Sequence, residues 1–136
     1  MRLLAGRDRS AHEIRGRLTA VGISPAAIAE TVRRLQDRGY LDDRRFALGA
    51  AERALRRGYG SEFLRATLQQ QGVADAAIEA ALHAAYSDEI AVARLVLGRR
   101  FGSLPRTAAE QGRAARFLAR RGFPEAVVFA ILGEAC

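Results

Sequence analysis

The sequence contains no lysine and no tryptophan, and its one cysteine, Cys136, is the last residue. A single thiol forms no intramolecular disulfide and builds no thiolate metal cluster. The two histidines, His12 and His83, add few ligands and lie beside no nucleophile with an orienting partner. Both read as surface or helix-packing residues. Aromatic residues make up only 7% of the chain, a thin supply for a base-stacking platform. No Walker-type phosphate loop is present, and no Gly-x-Gly-x-x-Gly follows a strand pattern. Arginine or an acid interrupts every apolar run before it reaches the roughly 18 residues of a membrane span. The opening residues are charged too soon for a secretion signal. These absences predict a cytoplasmic protein that is not an enzyme, with no catalytic residue, no metal, no cofactor and no membrane partner.

What the chain does have is arginine. Its 22 arginines stand against 15 acids, a net charge of +7. That excess favours an anionic partner. The charge is also blocky. Residues 33–57 carry +4, residues 58–93 carry −4, and residues 94–121 carry +7. Alanine (28 residues) and leucine (15) join arginine as strong helix formers. No segment alternates apolar and polar long enough for a strand, so the expected class is all-α.

A shift of 50 residues aligns the chain with itself. Leu18, Leu68 and Leu118 coincide, as do Gly22, Gly72 and Gly122, each glycine followed by an apolar residue (Ile23, Val73, Phe123). Six of 22 positions are identical between 14–35 and 64–85. The leucine closes an apolar stripe, and the glycine supplies the left-handed residue that stops the helix. Ser24 then caps the next helix and Pro25 suits its first position. Further helices are predicted over 2–8, 42–57 and 88–101, one before each pair. The chain therefore divides into three tandem three-helix, helix-turn-helix-like units, 1–39, 40–86 and 87–136, the first helix being short or truncated. Asp42 and Asp43 read as helix-capping and helix-dipole residues.

Helical geometry gathers the arginines into two stripes. One places Arg45, Arg53 and Arg56 on one arc of 42–57, with Arg57 next in the chain. The other places Arg106, Arg113, Arg116 and Arg120 on one face of 106–121. Phe117 borders the second stripe, either as an interface aromatic or packed on a neighbouring unit. Each stripe is either a solvated face or a binding surface for carboxylates or phosphates, which guanidinium groups grip bidentately.

Three blocks carry a resemblance to a known family: Gly39-Tyr40-Leu41-Asp42-Asp43-Arg44-Arg45-Phe46-Ala47; Arg57-Gly58-Tyr59-Gly60 with Leu64, Leu68 and Gly72-Val73; and Arg116-Phe117-Leu118-Ala119-Arg120-Arg121-Gly122-Phe123. Together they resemble the RecX regulatory proteins, the bacterial modulators of the RecA recombinase. The resemblance implies an elongated, curved array of three repeats. It also implies a monomer that binds the RecA filament on single-stranded DNA and inhibits its activities in DNA repair and the SOS response. Weaker, salt-dependent affinity for single- and double-stranded DNA comes with it. On this reading Arg45, Arg53, Arg56, Arg57, Arg113, Arg116 and Arg120 contact RecA or DNA. Tyr40 and Phe46 hold the junction between units, and Gly22, Gly72 and Gly122 are structural. The alternative is a sequence-independent DNA-binding helical protein that acts without RecA.

Overall fold

The computed structural model describes residues 10–39 and 41–133; the helix expected over 2–8, Tyr40 and Cys136 lie outside the described residues. Among the described residues there are eight helices and no strand. They are α1 (Ala11–Ala20), α2 (Pro25–Asp37), α3 (Asp43–Arg57), α4 (Ser61–Gln70), α5 (Asp75–Ala85), α6 (Glu89–Phe101), α7 (Ala108–Arg120) and α8 (Glu125–Leu132). The fold is all-α. α1 packs on α2, while α3 to α5 and α6 to α8 pack as trios.

Each group closes around its own core. Ile14, Ile28, Val32 and Leu35 fill the first. Leu64, Leu68, Ile78 and Leu82 fill the second, and Phe46 is buried among them. Leu97, Leu118, Phe123 and Val128 fill the third. Val92 packs against the second and third cores alike. Small residues on α3 (Ala47, Ala51, Ala54) and on α5 (Ala77, Ala81) are buried where these helices meet, which permits a close approach.

The helix ends follow local chemistry. Ser24 caps α2 with Pro25 in its first turn, and Asp42 accepts from the amides of Arg44 and Arg45. Thr107 and Glu110 form a reciprocal capping box on α7. The amides of Arg106 and then Thr107 hold the Glu110 carboxyl below the usual range. Arg106 therefore precedes the helix, and the stripe expected to start there begins at Arg113. The 50-residue period is a repeated helix stop. Gly22, Gly72 and Gly122 all have φ between +70° and +87°. In each copy the amide after the glycine donates to the leucine carbonyl four residues before it, at 3.1 Å, the Schellman pattern.

Two of these stops also receive a neighbouring unit. The N-terminus of α1 lies on the turn at Gly72, where the Ser10 hydroxyl donates to the Gln71 carbonyl at 3.3 Å. The N-terminus of α4 lies on the turn at Gly122, where the Gly60 and Glu62 amides donate to Arg121 and Gly122 carbonyls at 2.8 and 2.9 Å. Each junction is completed by an acid at the first position of the following unit's leading helix. Asp43 accepts from the amides of Ala11 and Ala74, both at 3.2 Å. Glu89 accepts from the Ser61 amide at 2.7 Å and the Ser61 hydroxyl at 2.8 Å. No side chain of α4 itself caps it, because its N-cap is Gly60. A Cβ at Gly60 would lie 2.5 Å from the Gly122 carbonyl oxygen. Tyr86 adds a hydroxyl donating to the Tyr59 carbonyl at 2.8 Å.

Two outcomes follow from this geometry. A Cβ at Gly22 meets no atom within 4 Å, whereas one at Gly122 falls 2.5 Å from the Phe63 Cβ. Gly22→Ala is expected to cost about 1 kcal/mol, the left-handed penalty alone. Gly122→Ala is expected to cost a further ~1–3 kcal/mol from overlap. Urea unfolding at unchanged m-value measures both, and equal costs would contradict the docked turn. The second outcome concerns pH. Burial, and then the Glu89 carboxylate, push the Tyr86 phenol up to about 12. The unfolded phenol titrates near ~10, so its contribution is whole below that pH and is lost as pH rises toward 12. Tyr86→Phe is expected to flatten this alkaline loss in urea melts, at a cost of roughly 1 kcal/mol at neutral pH.

Candidate interaction surface

Basic residues favour the last turn of a helix, where the backbone carbonyls carry partial negative charge. The sequence obeys this rule at several helices, three of which matter here: Arg56 and Arg57 lie in the last turn of α3, Arg99 and Arg100 in that of α6, and Arg120 ends α7 with Arg121 as its C-cap. The fold brings these ends together. Arg56, Arg57, Arg99, Arg100 and Arg121 line one groove of about 200 Å³ floored by Val96 and Phe117. A second groove, sharing Arg100 and Phe117, is lined by Arg113, Arg116 and Arg120. Arg56 and Arg57, at the end of the first expected stripe, thus join Arg113, Arg116 and Arg120 of the second in one basic surface through Arg99, Arg100 and Arg121.

Arg45 and Arg53 line neither groove. The Arg45 guanidinium donates to the Gly39 carbonyl at 3.1 Å, at the opposite end of α3. Arg53 is exposed farther along the same helix. Sequence reasoning did not single out Arg99, Arg100 and Arg121 as contact residues, because it drew stripes only on 42–57 and 106–121 and Arg121 lies off the second stripe. The +7 block over 94–121 was the signal that contained them.

Aromatic rings organise the arginines. Phe117 is buried and meets Phe101 edge-on at 5.6 Å. Arg100 lies 5.9 Å and Arg121 5.2 Å from the Phe117 ring. Arg121 also lies 5.2 Å from the Tyr59 ring, which stacks on Phe63 at 3.8 Å. Its guanidinium donates to the Arg57 carbonyl at 2.6 Å. Arg121 therefore ties the second unit to the third, while the other groove arginines keep donors for an external group.

Charge elsewhere is used internally. Arg33 and Arg34 both pair with Glu30. Arg65, the one arginine of the acidic block over 58–93, pairs with Glu79, and their hydrogen bond lowers the Glu79 pKa. The Glu52–Arg56 spacing allows a pair, but none forms within 4.0 Å, and among the described residues no ion pair engages the groove arginines. No group of three or more His, Cys, Asp or Glu suited to a metal occurs among the described residues. No described helix is long and apolar enough to cross a membrane.

Comparison with known proteins follows this architecture. Three family profiles match in order: the RecX first three-helix domain over residues 1–35, the second over 42–82 and the third over 87–132. The regulatory protein RecX of Xanthomonas axonopodis pv. citri (strain 306) is 41% identical over 89% of this chain and 75% of its own length. That of Halorhodospira halophila (strain DSM 244 / SL1) is 38% identical over 90% and 77%. The crystal structure of RecX from Lactobacillus salivarius superposes with a TM-score of 0.83 at 19% identity, covering 98% of this chain and 90% of that one.

The two kinds of arginine separate by mutation. Arg121→Ala is expected to cost about 1–2 kcal/mol through the lost carbonyl bond and ring contacts. Arg116→Ala, on an exposed site, is expected to stay within about 0.5 kcal/mol of the parent. Thermal and urea unfolding of the pair make the comparison.

Proposed function

Because this chain belongs to the RecX family of regulatory proteins, we propose that it binds the RecA filament on single-stranded DNA and inhibits recombinase and ATPase activity. It would so modulate DNA repair and the SOS response, as a cytoplasmic monomer without catalytic activity of its own. The observation that supports this reading is the joined arginine surface. Guanidinium groups in a fixed array match a partner that presents carboxylates or phosphates at repeated intervals, and a nucleoprotein filament presents both. The array of units, with boundaries proposed near 39/40 and 86/87, bridges neighbouring RecA subunits in the filament groove. Bridging opposes the subunit motions of ATP turnover or promotes filament breakage.

Arg56, Arg57, Arg113, Arg116 and Arg120 carry the contact, with Arg99 and Arg100 between them. Arg45 and Arg53 form a separate, secondary patch on α3. Phe46 is buried in the second unit's own core, so the junction role expected of it is not proposed again, and Tyr40 lies outside the described residues.

A second reading draws on the same guanidinium array: direct, sequence-independent binding of DNA phosphates without RecA. Salt separates the two, since binding through phosphates alone weakens steeply and linearly in log–log form. RecA ATPase on single-stranded DNA is measured with and without this protein across a salt series. Inhibition is expected to persist at salt that abolishes binding of the protein alone to DNA. Arg56→Glu with Arg57→Glu, or Arg113→Glu with Arg116→Glu and Arg120→Glu, is expected to reduce inhibition by at least about tenfold in concentration, the loss of one or two charge-assisted contacts. Full inhibition by either folded variant would remove that site.

A further inference from the structure

We propose that the cleft between α3 and α6 is a docking site for an acidic protein segment that carries an aliphatic anchor. Leu95 sits in the middle of α6 and is 57% exposed, though leucine gains most from burial. Leu55, Val92 and Val96 stand beside it and form an apolar trough of about 510 Å³, with Arg56 on one side and Arg99 on the other. The same two arginines and Val96 belong to the basic groove, so the trough opens directly into it.

The combination selects the partner. A purely apolar partner would cover Arg56 and Arg99 without pairing them, which is costly. A phosphate backbone would engage the arginines and leave Leu95 and Leu55 in water. A peptide with a leucine-like side chain flanked by carboxylates uses both parts: the anchor enters the trough and the carboxylates meet the guanidinium forks. Val92 touches two cores, so the floor of the trough is held by both units. The inference rests on the filament reading only for the source of the segment, a RecA subunit; the cleft chemistry stands apart from it.

The test is fluorescence anisotropy on the full chain with three probes. These are a fluorescein-labelled amphipathic peptide of leucine and glutamate, the same peptide with alanine for leucine, and labelled oligo-dT. The leucine peptide is expected to bind, and the alanine peptide to bind at least about tenfold more weakly, the effect of one buried anchor. Leu95→Ser is expected to weaken the leucine peptide by roughly the same factor and to leave oligo-dT binding unchanged. Leu95 is largely exposed, so this variant is expected to melt like the parent. Equal affinity for both peptides would overturn the proposal in favour of plain charge attraction. Equal loss of oligo-dT in Leu95→Ser would overturn it in favour of a nucleic-acid site. Inhibition of RecA without peptide binding removes this proposal alone; peptide binding without inhibition supports it and removes the filament reading alone.

Discussion

A helix that begins inside an interface must find acceptors for its first amides, and that requirement organises the contacts between units. α1 and α4 both begin against the turn of the next unit. In both cases an acid at the first position of the following leading helix, Asp43 or Glu89, accepts the leading amide. The carboxylate also meets the positive end of the helix it caps. The glycine turns fit the same requirement, because a side chain at Gly72 or Gly122 would collide with the incoming helix. One hydrogen-bonding need thus sets the spacing of acid, glycine and helix start along the chain.

This explains which features the sequence disclosed. The glycine period was legible because a left-handed helix stop is a local property with a known residue preference. The second role of Gly72 and Gly122, close approach, was not, and Gly22, which meets no such neighbour, shows that the two roles are separate. Asp43 was legible as a helix-dipole residue, but its bonds reach residues 32 and 31 positions away. Nothing in local patterning carries such a contact. The stripe of Arg113, Arg116 and Arg120 followed from helical periodicity. Its extension to Arg106 failed because the Thr107–Glu110 box starts the helix two residues later, at Ala108. The 50-residue repeat supplied the three tandem units, and the RecX resemblance supplied the expected partner, which the repeat left open.

The arginine surface is built from a local rule with a non-local result. Each helix gains by ending in arginine. Three such ends meet, and their carbonyl dipoles offset part of the repulsion among the gathered cations. Phe117 and Tyr59 offset more by offering ring faces to Arg100 and Arg121. Lysine would serve less well here, since a compact ammonium can sit over a ring but cannot stack flat on it or fork to two acceptors. The absence of lysine from the chain is therefore compatible with the surface its arginines build.

The capping contacts also run in one direction. α7 satisfies its own start through Thr107 and Glu110, whereas α4 relies on Glu89 and on the turn at Gly122, both later in the chain. A growing polypeptide emerges from the ribosome in the opposite order to this dependence. Until residues past Gly122 are free of the exit tunnel, α4 has an unfinished end and the second unit lacks its final support. The docking contacts of each of the first two units are thus completed only by residues synthesised after it.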